Sequence, residues 1–312
     1  MLTVVVPVYR NEESIPDLLD AIAGQWRAAG GALEAVLVVD GSPDRSYELL
    51  REALPRQPFP SRLVLLARNF GSFAAIRAGL AAGSGDAFAI MAADLQEPPE
   101  LVLEMNKVLR EDDADVVIGV RDGRGDPLTS RIPAQLFWSL YRRFVVPQMP
   151  PGGVDIFACN RAFRDQLLEL GESHSSLVAQ VFWLGYRRRF VPYTRRERQH
   201  GKSAWTFRKK LAYLMDSVFA FTDLPIRILI RGGALATLLS LVIGMMVVVA
   251  RLTGQIVVPG YAATILVIVF FGALNLLALG ILGSYAWRAY ENTKARPLHV
   301  VLRSHAFGQG GT

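Results

Sequence analysis

The chain has 312 residues, of which 51% are hydrophobic, and carries a formal net charge of +6 with a pI of about 9.6. This length is enough for one sizeable core and a further element. The charge favours acidic partners such as nucleotides, phospholipid head groups or phosphorylated lipids, and we expect no nucleic acid among them. The single cysteine, Cys159, excludes an internal disulfide bond, and the four histidines show no zinc-binding spacing with it.

Residues 1–120 alternate between short β-rich runs and helical patterns. This alternation predicts an α/β fold with a mostly parallel sheet and helices on both faces. Because the strands are apolar throughout, we expect both of their faces to be covered. The predicted strands are Leu2–Val8, Ala35–Val39, Leu63–Ala67, Ala87–Ala92 and Asp115–Val120, and the predicted helices are Ser14–Ala28, Asp44–Ala53, Ser72–Ala82 and Pro99–Arg110.

Polar residues follow four of these strands at their carboxyl ends. They are Pro7 and Tyr9 after the first strand, Asp40 after the second, Arg68 and Asn69 after the third, and Asp94 and Gln96 after the fourth. Any one acidic turn residue could instead cap a helix. Four such turns on the edge where open α/β sheets bind ligands favour a nucleotide site.

The segment MAADLQEPPE, at residues 91–100, raises the question of a metal site. It predicts the end of a buried strand, an acidic turn with Asp94, and a helix opened by proline. A divalent metal is usually held at such a turn with a second carboxylate nearby, but Ala92 stands two residues before Asp94. Glu97 could help, or it could simply favour the positive N-terminus of the following helix.

Residues 121–204 have mixed character. In PPGGVDIFACNRAF, Asp155 follows a glycine pair, where the backbone can approach a ligand; a turn-stabilising aspartate is the alternative. Residues 187–210 hold ten lysines or arginines against one acid, Glu197. This run predicts a mobile basic loop that binds anionic lipid or a specific phosphate, and the two roles are compatible.

The last third of the sequence predicts membrane segments. Residues 205–225 have the apolar spacing and basic cluster of an amphipathic juxtamembrane helix at an interface, although a helix of the first domain would show similar spacing. Two long uncharged runs follow, and about 20 apolar residues cross a bilayer. We therefore predict a transmembrane hairpin over residues 226–288, with spans near 230–250 and 262–287, rather than core helices.

The charges that flank the hairpin predict its orientation. Arginines and lysines lie outside both of its ends, whereas the connecting loop carries only Arg251. By the positive-inside rule both termini are cytoplasmic, and the chain is a multi-pass protein of the inner (plasma) membrane. The opening segment lacks the basic region of a signal peptide, so residues 1–204 are expected to form a cytoplasmic domain. Residues 289–312 are expected to form a cytoplasmic tail.

In their order, these motifs resemble those of the polyisoprenyl-phosphate glycosyltransferases. The motifs are VVPVYRNEES, VVDGSPD, LARNFGSFAAIRAGL, ADLQEPPE, SRIPAQLFWSLYRRF, the Asp155 turn and HGKSAWTFRKKL. The family includes dolichol-phosphate mannose synthase and bacterial undecaprenyl-phosphate sugar transferases, belongs to glycosyltransferase family two and has the GT-A fold. The resemblance covers residues 1–225 by motif and the hairpin by architecture.

The resemblance implies an inverting transfer of a sugar from a nucleotide-sugar, by analogy a UDP-linked one, to a polyisoprenyl phosphate such as undecaprenyl phosphate. The reaction would take place at the cytoplasmic membrane face, with Mg²⁺ or Mn²⁺ as cofactor, and its product would serve cell-envelope glycan modification. By family analogy the protein would be a homo-oligomer, a tetramer, in which the hairpin could pack between protomers.

The resemblance also assigns site residues by position. Pro7, Tyr9, Glu12, Asp40, Arg68 and Asp94 would bind the nucleotide, Asp94 and Gln96 the metal, Asp94 and Asp155 would be catalytic, and Arg131, Arg198, Lys202 and Ser203 would receive the acceptor phosphate. Asp155 would orient the sugar or the acceptor, because a lipid phosphate with a second pKa near 6 is already ionised at neutral pH.

Three positions depart from the family pattern. Ala92 and Val39 each stand where a further aspartate is common, and the order YRNEE leaves open whether Asn11 or Glu12 takes the acidic role. These departures predict a metal that is held weakly and recruited by the donor's diphosphate. They also keep open a catalytically impaired scaffold that binds nucleotide or lipid phosphate. Another alternative is a membrane transferase of the same fold that makes a polymer, although such an enzyme would be expected to carry more spans and a Gln-x-x-Arg-Trp motif.

Overall fold

A single eight-stranded sheet organises the first domain. The computed structural model describes residues 1–111, 114–121, 139, 141–143, 145–150, 153–195, 207–253 and 261–308. Its strands are β1 (Leu2–Val8), β2 (Leu33–Val39), β3 (Ser61–Leu66), β4 (Ala87–Ile90), β5 (Val116–Arg121), β6 (Phe157–Asn160), β7 (Arg188–Tyr193) and β8 (Val301–Phe307), arranged in the order β7-β5-β6-β4-β1-β2-β3-β8. β6 and β8 run antiparallel to their neighbours, and the other six strands run in one direction.

Helices connect the strands and continue beyond them. They are α1 (Ile15–Ala28), α2 (Ser46–Ala53), α3 (Ser72–Ala82), α4 (Glu100–Arg110), α5 (Arg161–Glu169), α6 (Leu177–Trp183), α7 (Phe207–Phe221), α8 (Leu224–Leu252) and α9 (Tyr261–Thr293), with 3₁₀ turns at Glu12–Ser14 and Leu54–Arg56. The five predicted strands and four predicted helices of residues 1–120 are all present, with bounds that differ by at most two residues. The mostly parallel α/β sheet is therefore confirmed.

The central strands are covered on both faces, as their apolar sequences predicted. Val36 and Val38 of β2 pack with the buried alanines of α3 on one face. Leu37 and Val39 of the same strand point to the opposite face and join the large core that contains α1. Successive residues of a strand point to opposite faces, so a strand buried on both must be apolar at every position.

Two helices are long and apolar enough to cross a membrane. The qualifying segments are Leu224–Met246, with mean hydropathy 1.9, and Val267–Thr293, with mean hydropathy 2.2. No part of either apolar window is buried inside the protein, unlike the core helix of a soluble domain. Both helices extend beyond the predicted spans, since α8 begins at Leu224 and α9 continues to Thr293.

Polar contacts tie α7 and α9 to the sheet domain. The ring of Tyr213 in α7 stacks on Tyr141 with 5.7 Å between centroids, and its hydroxyl accepts a bond of 2.9 Å from Ser176 at the start of α6. Arg288 of α9 donates to Asp216 of α7 at 2.8 Å. Asn292 of α9 accepts bonds from the backbone N–H and hydroxyl of Ser173. These contacts anchor the apolar helix α9 and the preceding helix α7 on the sheet domain.

The segment after α9 contributes a strand that the sequence did not predict. β8 pairs antiparallel with β3, from Ser61 opposite Phe307 to Leu66 opposite Val301. The backbone N–H of Ala67 also donates to the carbonyl of Val300 at 2.9 Å. The predicted domain, residues 1–204, therefore excludes β8, which lies in the predicted tail at 289–312 but belongs to the sheet.

Candidate active site

One edge of the sheet collects the ends of six strands. β1, β2, β3, β4, β5 and β7 share a direction, so their carboxyl ends meet there, and the turn before antiparallel β6 brings Asp155 to the same edge. The predicted nucleotide residues lie in one half of this edge. Asp155 lies in the other half with Arg121 and Tyr193, which are paired in register at the ends of β5 and β7. Ligands of open α/β sheets bind in such a crevice.

Hydrogen bonds join the loop after β1 to the loop after β2. The carboxylate of Glu12 accepts a bond of 3.0 Å from the backbone N–H of Arg45, and the N–H of Glu12 donates at 3.1 Å to Asp44. Asn11 instead closes its own turn, accepting a bond of 3.0 Å from the N–H of Tyr9. Glu12 therefore carries the acidic contact between the loops. Pro7 and Tyr9 are half-buried at this wall of the crevice.

Asp40 is hydrogen-bonded to the backbone of the next loop. It is 3% exposed, and its two carboxylate oxygens accept bonds of 2.7 Å from the N–H of Phe70 and 2.8 Å from the N–H of Gly71. Burial raises the pKa of Asp40 above its ordinary value, although these N–H groups and the charge of Arg68 oppose the rise. Asp40 thus holds the loop that enters α3, and its predicted contact with the nucleotide stays a prediction.

Gly41 allows this loop to lie close to the end of β2. Its φ of 55° is in the left-handed region, and a Cβ at this position would overlap the backbone of Arg68 and Asn69. Arg68 itself is exposed, with its guanidinium 4.0 Å from the centroid of the Phe70 ring. The predicted location of Arg68 beside the nucleotide stays a prediction.

The turn after β4, residues 92–97, is compact. Asp94 is half-buried and accepts a bond of 3.3 Å from the N–H of Gln96, while Leu95 has a φ of 52°. Gln96 is 8% exposed, and its side-chain oxygen accepts a bond from the guanidinium of Arg195. This oxygen has a second lone pair, and the predicted ligation of a metal by Gln96 stays a prediction.

Glu97, which the sequence left undecided, is a buried carboxylate of this turn. It is 3% exposed, and its Oε1 lies 4.0 Å from Nε of Arg195. Burial, and after it the charges of Asp155 and Asp94, raise the pKa of Glu97 to about 7, against the opposing charge of Arg195. The side chain points into the crevice's polar cluster and does not simply cap α4.

Asp155 is held by two side chains that the sequence analysis missed. Arg121 makes an ion pair and hydrogen bond with its carboxylate, and the hydroxyl of Tyr193 donates to the same oxygen at 2.8 Å. Burial would lower the pKa of Arg121, but the charge of Asp155 raises it overall. Burial and the charge of Asp155 also raise the pKa of Tyr193. Arg121 ends β5, so the strand-end rule that found Asp94 could have found it.

The chemistry of the oxygens decides whether a divalent cation fits this crevice. Among the described residues, no three His, Cys, Asp or Glu side chains form a group able to hold a metal ion. Asp94 nevertheless offers a half-buried carboxylate, and buried Glu97 has an oxygen, Oε2, without a hydrogen-bond partner in the described part of the chain. Such a site suits an ion that takes most of its ligands from phosphate and water. Arg131, Arg198, Lys202 and Ser203 lie outside the described residues.

Comparison with known proteins gives the family. Residues 3–171, more than half of the chain, match the model described as Glycosyl transferase family 2. The chain belongs to glycosyl transferase family 2. An uncharacterized glycosyltransferase of Synechocystis sp. is 31% identical over 96% of this chain and 94% of its own length. The undecaprenyl-phosphate 4-deoxy-4-formamido-L-arabinose transferase of Pseudomonas paraeruginosa is 33% identical over 97% of this chain and 90% of its own.

A solved structure of similar fold is that of the mannosyltransferase PcManGT from Pyrobaculum calidifontis in complex with GDP-Man and Mn²⁺. It is 22% identical, with a TM-score of 0.49 over 70% of this chain and 63% of that one. These matches confirm three predictions from the sequence: the family, the GT-A fold and the enzyme class. Its two apolar helices lie within the full-length matches to the relatives.

Proposed function

We propose that this family 2 glycosyltransferase moves a sugar from a nucleotide-sugar, UDP-linked by analogy, to a polyisoprenyl phosphate, with undecaprenyl phosphate as the acceptor. One observation carries the proposal. The match to relatives named for that acceptor runs through the sheet domain and both apolar helices, at 33% identity over 97% of the chain. A lipid acceptor explains why a sugar-transferring domain is joined to a membrane hairpin.

The packing of the domain on the hairpin supports this acceptor. Arg288 and Asn292 of α9 contact Asp216 and Ser173, and β8, which follows α9, pairs with β3. Because β8 lies in the same sheet as β1, we propose that both ends of the hairpin are on one side of the membrane. The basic flanks of the hairpin favour the cytoplasm for that side under the positive-inside rule. The active-site edge would then meet lipid phosphates at the cytoplasmic surface.

The transfer that we propose is a single displacement. An oxygen of the lipid phosphate bonds to the anomeric carbon of the sugar while the bond to the nucleoside diphosphate breaks, so the configuration inverts. Because the phosphate is already ionised, it needs positioning more than a base. Asp155, held by Arg121 and Tyr193, would orient the sugar or acceptor. Arg131, Arg198, Lys202 and Ser203 are the residues that we propose for the acceptor phosphate.

Asp94 is the residue that we propose for a divalent cation, Mg²⁺ or Mn²⁺. When bound, the cation would neutralise the charge that develops on the departing diphosphate. With Ala92 in the place of a second carboxylate, the donor's own oxygens would complete the shell. Pro7, Tyr9, Glu12, Asp40 and Arg68 would form the wall that receives the nucleotide.

A transfer assay tests the proposal. The purified full chain is incubated with undecaprenyl phosphate, labelled nucleotide-sugars and Mg²⁺, Mn²⁺ or EDTA, and the lipid fraction is counted. We expect a lipid-linked product and release of the nucleoside diphosphate that depends on the lipid. Asp155→Asn tests the role of this carboxylate. Nearly full turnover by the variant would show that Asp155 has no essential acid–base function. Failure with every common donor would count against the proposal.

A further inference from the structure

The loop after β1 is held by side chains of the segment that enters α2. Three successive backbone N–H groups of the loop, those of residues 10–12, donate to it. Their acceptors are Ser42 at 2.8 Å, Ser46 at 3.3 Å and Asp44 at 3.1 Å. Arg10 has a left-handed φ of 56°, which is unfavourable for a residue other than glycine and persists only where its surroundings hold it. The shape of this loop therefore depends on the position of α2.

The second residue of α2 connects this arrangement to β8. Tyr47 is 8% exposed, and its hydroxyl lies 3.2 Å from Nε2 of His305. A hydroxyl both donates and accepts, so it bonds to this nitrogen in either tautomer of the imidazole. Because Tyr47 follows Ser46 directly, a shift of Tyr47 would move an acceptor of the loop.

The bond between Tyr47 and His305 joins segments that are 258 residues apart, on either side of the two apolar helices. Among the residues of β8, His305 and Phe307 are half-buried and the others are exposed. The two rings stack, with 6.3 Å between their centroids. His305 is therefore a main contact between β8 and the helices that cover the sheet.

We propose that Tyr47 and His305 are positioning residues for the wall that receives the nucleotide, and that β8 fixes the loop after β1 through α2. The inference rests on the proposed binding of a nucleotide at this wall, where Pro7, Tyr9 and Glu12 lie. Tyr47 and His305 act on the nucleotide only through the three acceptors that hold the loop. The strand that follows the apolar helices is thereby part of the structure that binds the donor.

The test compares Tyr47→Phe, His305→Leu and the double variant in the full-length protein. Each single variant is expected to raise the donor KM and the dissociation constant of UDP or GDP, measured by calorimetry, about fivefold, because one neutral hydrogen bond is lost. The double variant should show about the same rise, since both substitutions remove the same bond. We expect kcat and the acceptor KM to stay within about twofold of the unmodified protein.

Hydrogen exchange of backbone amides provides a second measurement. The amides of residues 10–12 should exchange faster in Tyr47→Phe than in the unmodified protein. Because coupling between two sites is reciprocal, saturating nucleotide should slow exchange in β8 of the unmodified protein but not in that of Tyr47→Phe. A residue that served only the stability of the sheet would not produce this response.

Tyr186→Phe is the matched control. It removes a hydroxyl just before β7, at the sheet edge opposite the crevice, from a ring that packs edge-on against Phe163 with 5.3 Å between centroids. Nucleotide affinity should stay within about twofold of the unmodified protein. His305→Gln keeps a hydrogen-bonding group at the end of the side chain and should recover part of the affinity that His305→Leu loses.

Two results would overturn the proposal: nucleotide affinity within about twofold of the unmodified protein in Tyr47→Phe, or an effect in the double variant equal to the product of the single ones. A fall in kcat with an unchanged donor KM would also refute it. If the unmodified protein transfers no sugar to lipid phosphate, the proposed acceptor fails, and nucleotide affinity still decides the role of the pair. If it binds neither UDP nor GDP, the proposed donor fails, and exchange of residues 10–12 in Tyr47→Phe decides it.

Discussion

Two buried carboxylates at the ligand edge are stabilised by different means. Asp40 accepts two short bonds from backbone N–H groups, which makes it part of the loop before α3. Glu97 has a guanidinium at 4.0 Å and one oxygen without a partner among the described residues. Backbone donors are fixed by the fold, whereas a side-chain cation can move. Asp40 is therefore suited to shaping the crevice, and Glu97 to responding to what binds in it.

Gly41→Ala should disturb the crevice from its base. The new Cβ would overlap the backbone of Arg68 and Asn69, and alanine disfavours a φ of 55°. We expect a loss of about 1 to 3 kcal/mol in the free energy of unfolding, with weaker nucleotide binding. Gly24→Ala in α1 is the control: nothing lies within 4 Å of its Cβ, so this change should be neutral or stabilising. Denaturant unfolding and calorimetry with UDP measure both effects.

Asp94→Ala should leave the enzyme close to inactive. The substitution removes the carboxylate proposed for the cation, and Ala92 offers no replacement. We expect turnover to fall by at least about a hundredfold in the lipid-transfer assay, with little change in thermal stability because Asp94 is only half-buried. Removal of divalent ions with EDTA should have a comparable effect on the unmodified protein. Activity that survives EDTA would refute the metal role of Asp94.

At the scale of elements, β8 can be tested by one substitution. Ser304 pairs with Val64 of β3, and proline at this position removes a backbone donor and clashes with the ladder. Ser304→Pro should reduce the free energy of unfolding by about 1 to 3 kcal/mol and weaken nucleotide binding, since Val300 also holds the first residue after β3. Ser304→Ala keeps the backbone N–H and should resemble the unmodified protein. Equal nucleotide affinity in both variants would show that β8 does not support the crevice.

Glu34 makes the stability of the sheet depend on pH. Its carboxylate accepts bonds from Thr3 of β1 and from Ser84 and Gly85 before β4. Burial alone would raise the pKa of Glu34, but these bonds hold it below the ordinary value of 4.5. The charged form therefore stabilises the fold above pH 4.5, and this contribution is lost as the pH falls through the lowered pKa.

Glu34→Gln measures that contribution. The unmodified protein should be the more stable of the two at about pH 7, and the difference in melting temperature should shrink below pH 4.5, as the pH falls through the lowered pKa of the carboxylate. A difference that stays constant between these pH values would contradict the prediction.

The sequence could predict the elements whose signal is local. The strands of residues 1–120 are apolar runs bounded by turns, so their positions follow from composition alone. β6 has four residues, β7 lies in the basic run, and β8 has mostly exposed side chains, so none of them carries a strong apolar pattern. These strands form because they pair with segments that are distant in the sequence. Such pairing cannot be predicted from a short stretch of residues.

The same distinction applies to the candidate site. Asp94 and Asp40 were predicted because they end strands that could be recognised. Tyr193 ends β7 and Arg195 lies two residues after it; this strand was not recognised, so nothing in their own neighbourhood indicated that they face the crevice. The role of Asp40 as a loop anchor depends on N–H groups 30 and 31 residues away, which only the folded chain brings near.

At the scale of the whole molecule, membrane topology can be read with single cysteines. The native Cys159 is buried, and burial raises the pKa of its thiol, so it should give little background labelling. On intact cells a membrane-impermeant maleimide should label Thr253→Cys, at the end of α8, and should not label Ser304→Cys in β8. Both should react after permeabilisation. Labelling of Ser304→Cys in intact cells would contradict the cytoplasmic orientation.

The pairing of β8 with β3 also sets an order for biosynthesis. β3 leaves the ribosome early, but its partner is made only after α8 and α9. Until then the edge of β3 has no strand beside it, and an uncovered edge readily pairs with other chains. The sheet of the enzyme is therefore completed only after both apolar helices have been synthesised. A chain that stops before β8 would keep that edge of β3 open to pairing with other chains.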